Sequence, residues 1–322
     1  MPLGLFRPDL MEVLAGRRLV RAWSRLVRFD LCELDTQAQI VNVRGHWHRT
    51  GRLRAFYDRF HELEKVSVKM AAGFDSVQRE VKNRRLVEQV GELQLPRLHT
   101  SGSIDNTTYL VEDWINGRSA VLPRDGRLVE SHVFPALIRH FQAYGIKERS
   151  LEDAMGADFA SEVELATDQI RWSPNWIPRK EWVARIRELC GAGRSLPTSF
   201  CHADLNLGHI ALCRNRVFLL DWGAAAEKPI ATDFVDLIPR RSSAMDFIYD
   251  GALRRLSSVS SKDAYRPRDQ LLIAALRRVA RWRQRAALFA KERRPQRLSL
   301  LLHREIECSI DLLARPAESR AS

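Results

Sequence analysis

Apolar and polar positions along the 322-residue chain change rhythm near residue 117. Before it, short β-branched runs predict strands: AQIVNV (38–43), KVSVKM (65–70) and TTYLVEDWI (107–115). One helical segment interrupts them, FDSVQREVKNRRLVEQVG (74–91). Phe74, Val77, Val81 and Val87 supply its apolar stripe and Gly91 a stop. Beyond residue 117 helical periodicity prevails. SHVFPALIRHFQAYG (131–145) and KEWVARIRELCGAG (180–193) each predict an amphipathic helix ending at glycine. Strands with one helix, followed by a mostly helical half, predict two lobes joined at about Trp114–Arg118, residues 1–116 and 117–322.

A different pattern stands inside the helical half. IALC (210–213) and RVFLL (216–220), separated by Arg214 and Asn215, predict a β-hairpin over 210–220. His202 to His209 form the loop that enters it, and Asp221 ends its second strand. A hairpin brings Asp204 and Asp221 to the same end. Two carboxylates converging there repel unless a cation or proton intervenes, and a divalent cation is the natural one.

Charge narrows the partners without choosing among them. The chain carries 52 Lys and Arg against 40 Asp and Glu, a net charge of +12. That excess favours anionic partners such as nucleotides, phosphorylated sugars or an acidic membrane face. It is concentrated in GRRLVRAWSRLVR (16–28) and LRRVARWRQRAALFAKERRPQR (276–297). Leu272, Leu276, Val279, Trp282, Ala286 and Phe289 give the second segment an apolar stripe, which predicts a surface helix packed by that stripe with its arginines solvated. No zinc finger, RNP-like aromatic pattern or helix-turn-helix accompanies the basic residues, so no nucleic acid is expected as partner. Five scattered cysteines without a CxxC pair argue against a disulfide framework or zinc site. With no apolar run of 18 residues and no signal-like start, a cytoplasmic location is expected, with peripheral contact at an anionic membrane as a further option.

The hairpin and its loop resemble the aminoglycoside phosphotransferase and choline kinase group, which is built on the protein-kinase fold. The group's usual form is H-G-D-L-H-x-x-N-I-L, then a strand ending in I-D-W or I-D-F. This chain reads H-A-D-L-N-L-G-H-I-A and then L-L-D-W. The resemblance puts Asp204 at the catalytic base and Asp221 at the metal-binding Asp. His202 and Asn206 become loop-ordering residues, and PIATDF (229–234) supplies Asp233 to tie the loop down. VSVKM resembles the strand whose Lys, here Lys69, grips the α- and β-phosphates of ATP. Glu80, eleven residues on, stands where the carboxylate partner of that Lys is usual. YLVEDWINGRS (109–119) resembles the hinge, so that the backbone around Glu112 and Trp114 would take the adenine. The matches run over about residues 65–237. They imply an α+β, two-lobed protein-kinase-like fold with a small β-rich N-lobe and a larger helical C-lobe, using ATP with Mg²⁺ or Mn²⁺ to phosphorylate a hydroxyl.

Two departures shape the expectation. His209 occupies the position of the usual Asn metal ligand, and it can serve as metal ligand or as loop residue. A His there resembles the lipopolysaccharide-core sugar kinases of Gram-negative bacteria. It also suits softer metals than Mg²⁺. The second departure concerns the glycine-rich phosphate loop expected ahead of Lys69: residues 51–70 hold a single Gly, at their start. That leaves open a different loop, a degraded site or a cover made of side chains. The acceptor expected is a core sugar or anionic glycolipid. The alternatives are an aminoglycoside- or choline-type small molecule, or a catalytically inactive kinase-fold binding protein. Acids and tryptophans in 158–182 could serve a cationic or sugar acceptor, or simply pack the core.

Overall fold

The computed structural model describes residues 39–44, 52–58, 65–72, 76–104, 107–113, 115, 117–214, 216–238, 246–284, 286 and 295–315. The basic segment 16–28, Phe74, Trp114 and Phe289 lie outside them. In chain order the elements run β1 (Gln39–Arg44), β2 (Arg52–Asp58), β3 (Lys65–Ala72), α1 (Ser76–Val90), β4 (Leu98–Ile104), β5 (Thr107–Asp113) and β6 (Arg118–Ser119). A π turn, Val129–Val133, leads into α2 (Phe134–Tyr144). Then come β7 (Lys147–Ser150), α3 (Leu151–Met155), α4 (Phe159–Thr167), α5 (Arg179–Gly191) and β8 (Ser195–Cys201). The chain continues through β9 (Ile210–Cys213), β10 (Arg216–Leu219), β11 (Ala226–Pro229) and α6 (Thr232–Val235). It closes with α7 (Asp246–Ser257), α8 (Pro267–Ala280) and α9 (Pro295–Ala314).

Two compact units result, one strand-rich and one mostly helical: Met1–Ser119 with His209–Ala224, and Ala120–Gly208 with Ala225–Ser322. In the first, an antiparallel sheet runs in the order β1-β2-β3-β5-β4. Helix α1 covers it through Val77 and Val81, which bury against Leu110 of β5. Gly91 ends the helix at φ +77°, a conformation that costs other residues energy. The hairpin β9–β10 groups with this unit although its sequence stands within 117–322, because β6 pairs with β9 (Arg118 with Leu212). That pairing needs Gly117. A Cβ there would stand 2.4 Å from the backbone oxygen of Leu212, which cannot turn aside. Gly117→Ala is expected to cost about 1–3 kcal/mol as β6 is pried from β9, visible as a lower denaturation midpoint.

Strands β2 and β4 were not expected from the sequence, and β2 corrects one reading. Residues 51–70 are not the place to look for a phosphate loop, because they hold β2 and the link into β3. The connection of the first antiparallel pair is residues 45–51, GHWHRTG, with glycine at both ends; it lies outside the described residues.

The second unit is built on a small sheet, β11-β8-β7, and a helical core. Phe159, Val163, Trp182, Ile186, Leu196 and Tyr265 bury together with Leu272, Leu276 and Val279 of α8 and Leu302 and Ile306 of α9. The stripe read on 272–282 is therefore core packing, with Trp282 at its margin. Trp172 and Trp176 pack against the same core, 5.0 Å apart edge-on, and Trp172 meets Trp182 at 5.6 Å. Helix α2 ends at Gly145 (φ +109°), and α5 has Gly191 as its last residue, with left-handed Gly193 (φ +65°) just beyond. Among the described residues no helix is long and apolar enough to cross a membrane.

Candidate active site

The loop after β8 is fixed from behind. The carboxylate of Asp233, at the start of α6 and fully buried, accepts the His202 N–H at 2.7 Å and the Ala203 N–H at 2.8 Å. Burial pushes Asp233 up to about 7, against the opposing pull of the two N–H groups; Asp236 adds to the rise and Arg277 opposes it. Ala203 sits at φ +64°, a left-handed conformation that costs a residue with a Cβ about 1–2 kcal/mol. The chain spends that energy where the resembling group has glycine. His202 is fully buried and Leu205 is buried beside it, while Asp204 between them is exposed. Asn206 closes the turn: its Nδ2 donates to the Asp204 carbonyl at 3.1 Å and its Oδ1 accepts the Gly208 N–H at 2.9 Å. One exposed carboxylate thus stands on a backbone held at three points.

In the same unit a cavity of about 310 Å³ adjoins this loop at Asn206. Its apolar wall includes Val235, Ile238, Ala275 and Leu301, and its polar wall Asp236, Arg278, Arg304 and Glu305. Arg278 is ion-paired to Asp236. Four acids of the 158–182 segment are likewise ion-paired: Glu162 with Arg283, Glu164 with Arg187, Asp168 with Arg179 and Glu181 with Arg185. The hydrogen bond from Arg187 holds the Glu164 carboxyl below its usual range.

In the strand-rich unit, Asp221 follows β10 at φ +66°. His209, entering β9, places its Nε2 3.8 Å from Asp221 Oδ2. The turn is pinned on its N-terminal side by Leu220 N–H donating to the His209 carbonyl at 2.9 Å. A carboxylate oxygen and an imidazole nitrogen converging at this spacing fit a divalent cation. Among the described residues no cluster of three or more His, Cys, Asp or Glu could hold a metal ion.

Lys69 is placed by its backbone, in the middle of β3 and paired with Arg54 and Leu110. Glu80 is buried on α1. Glu112 has a role that its hinge position did not suggest: its buried carboxylate accepts from Arg84 of α1, which also donates to the Pro96 carbonyl. The backbone of Glu112 lies within the sheet, opposite Ser67 and Leu98. Arg84 and Asn83 were not singled out from the sequence, since nothing local marks an Asn-Arg pair on a basic helix as buried.

Solved structures of small-molecule kinases share this fold. The choline kinase LicA of Streptococcus pneumoniae aligns over 88% of this chain and 98% of its own, at 13% identity and a TM-score of 0.54. A glucosamine kinase aligns over 87% and 78%, at 14% identity and a TM-score of 0.52. A mutant aminoglycoside phosphotransferase APH(4)-Ia, in complex with ADP and hygromycin B, aligns over 90% and 99%, at 12% identity and a TM-score of 0.52. No curated protein sequence matches the chain. Residues 68–255 match the phosphotransferase enzyme family, a stretch that contains both the loop and the hairpin. The chain belongs to that family, and its reaction class is ATP-dependent phosphoryl transfer.

Proposed function

We propose that the protein transfers the γ-phosphoryl group of ATP to a hydroxyl of a small, anionic, sugar-like acceptor, with a lipopolysaccharide-core sugar as the finest reading. The observation that carries it is the loop of Asp204: an exposed carboxylate on a backbone fixed by Asp233 and Asn206, beside a cavity of about 310 Å³. Phosphoryl transfer asks a protein mainly for positioning and charge neutralisation. Asp204 orients the acceptor hydroxyl and takes its proton. Lys69, paired with Glu80, orients the α- and β-phosphates. The hinge beyond β5, on the Trp114 side, receives the adenine, while Glu112, whose backbone is paired within the sheet, anchors α1 through Arg84. Asp221 and His209 hold the divalent ion, which neutralises phosphate charge when bound. The nitrogen donor of His209 favours Mn²⁺ over Mg²⁺ relative to an all-oxygen site.

Arg304 in the cavity wall supports an acceptor that bears an acidic group; Arg278 in the same wall is already paired with Asp236. The net charge of +12 supports work at an anionic inner-membrane surface from the cytoplasmic side. A second reading, an amine-bearing acceptor, draws on Asp236 and Glu305 in the same wall and on the acceptors named for the structural neighbours. A third reading, an inactive kinase-fold binding protein, draws on the scarcity of glycine ahead of Lys69, where only Gly45 and Gly51 follow β1.

Thermal unfolding tests the nucleotide side. ATP with Mn²⁺ or Mg²⁺ at about 100 times its Kd is expected to stabilise the wild type by about 2.7 kcal/mol, several degrees in Tm. Asp221→Ala should lose that metal-dependent rise. A wild type that ATP does not shift with either metal would return the chain to the inactive class.

A further inference from the structure

Helix α1 buries three polar side chains on one face. Glu80, Asn83 and Arg84 stand at positions i, i+3 and i+4, and all three are nearly inaccessible to solvent. Buried polar groups are costly unless they are hydrogen-bonded, so such a face calls for partners. Arg84 has them in Glu112 and the Pro96 carbonyl, which bolt the helix to β5 and to the segment ahead of β4. Asn83 reaches elsewhere. Its Nδ2 donates to the main-chain carbonyl of Trp222 at 2.9 Å, a buried contact between residues 139 apart in sequence.

Trp222 directly follows Asp221, so a fixed Trp222 carbonyl limits how the chain leaves Asp221 and thereby where its carboxylate points. Asp221 is left-handed at φ +66°, a state that a non-glycine residue keeps only when its surroundings over-determine it. On one side the surroundings are the Leu220 N–H bonded to the His209 carbonyl. On the other they are the Trp222 indole, buried and donating to the Leu219 carbonyl at 3.3 Å, and Asn83 on the Trp222 carbonyl. Asn83 reaches the turn from outside the hairpin. We infer that Asn83 is a positioning residue: it holds Asp221 in its left-handed conformation and ties the metal-binding carboxylate to the helix that carries Glu80. The link to metal rests on the reading of Asp221 given above; the brace itself does not.

The expected signature separates a brace from a merely structural residue. In metal-free protein, Asn83→Ala should speed deuterium exchange in a peptide spanning residues 220–225 about tenfold or more, with β9 left protected. Mn²⁺ binding in the presence of ADP, read by electron paramagnetic resonance, should weaken by about 10–100-fold, as is usual when a group orienting a metal ligand is lost. Val81→Ala, a cavity on the side of the same helix that packs against Leu110 of β5, should do neither at a comparable loss of Tm. If Asn83→Ala does not fold, Asn83→Ser carries the comparison. Unchanged exchange over 220–225, or equal loosening by Val81→Ala, would overturn the brace. A wild type that binds no Mn²⁺ while Asn83→Ala still loosens the turn would overturn the metal reading and leave the brace standing.

Discussion

Asp204→Asn is expected to lower the phosphoryl-transfer rate by about 10²–10⁴-fold, the usual contribution of a positioned general base. The same change should leave Tm almost unmoved. Asp204 is exposed, and what fixes its place in the loop is the backbone: Asn206 holds its carbonyl, and Asp233 holds the two residues before it. An isosteric exchange at an exposed position that leaves these backbone hydrogen bonds in place costs within about ±0.5 kcal/mol. The metal-dependent thermal shift by ATP should also survive, because the residues assigned to the nucleotide are elsewhere. The measurement is ADP release against a panel of phosphorylated and aminated sugars. A variant that keeps more than a tenth of the wild-type rate would remove Asp204 from the chemistry. One that loses ATP binding as well would give it a structural role instead.

What was legible in the sequence was whatever depended on near neighbours. The hairpin 210–220 is written in two apolar runs around Arg214 and Asn215, and it folds with Arg216 opposite Cys213. Helix α1 announced itself through the valine spacing and Gly91. Strand β4, LHTSGSI, has small polar residues and little strand preference of its own; its pairing with β5 makes it a strand. The three tryptophans of 172–182 were ambiguous because an indole suits a core and a sugar face equally well, and only the approach of α8 and α9 decides for the core. The site divides the same way. His202, Asp204 and Asn206 are close in sequence and Asp233 follows in a recognisable segment. Asn83 and Arg84 act on residues 139 and 28 positions away, and no local pattern encodes a partner at that distance.

Asp233 carries the largest expected effect on stability, and its sign with pH is specific. Asp233→Ala leaves the His202 and Ala203 N–H groups without their acceptor in a buried place. Each unsatisfied group costs about 1–3 kcal/mol, and relief of carboxylate burial offsets part, for a net loss of about 2–4 kcal/mol. Ala203 would then also have little to hold it left-handed, so the loop of Asp204 should loosen and transfer should fall along with stability. The wild-type side chain titrates from 3.8 in the unfolded chain to about 7 in the folded one. Between those values the folded state keeps a proton that the unfolded state has lost, so this group's contribution is full below about pH 4 and declines as pH rises through 7. A difference of that size corresponds to something on the order of 4 kcal/mol across the window. Urea midpoints of wild type and Asp233→Asn, taken from pH 4.5 to 8, would show it as a slope present in the first and missing from the second. Parallel curves would mean that Asp233 is ionised throughout. The two N–H groups would then outweigh its burial, and the loop would be held by a permanent carboxylate.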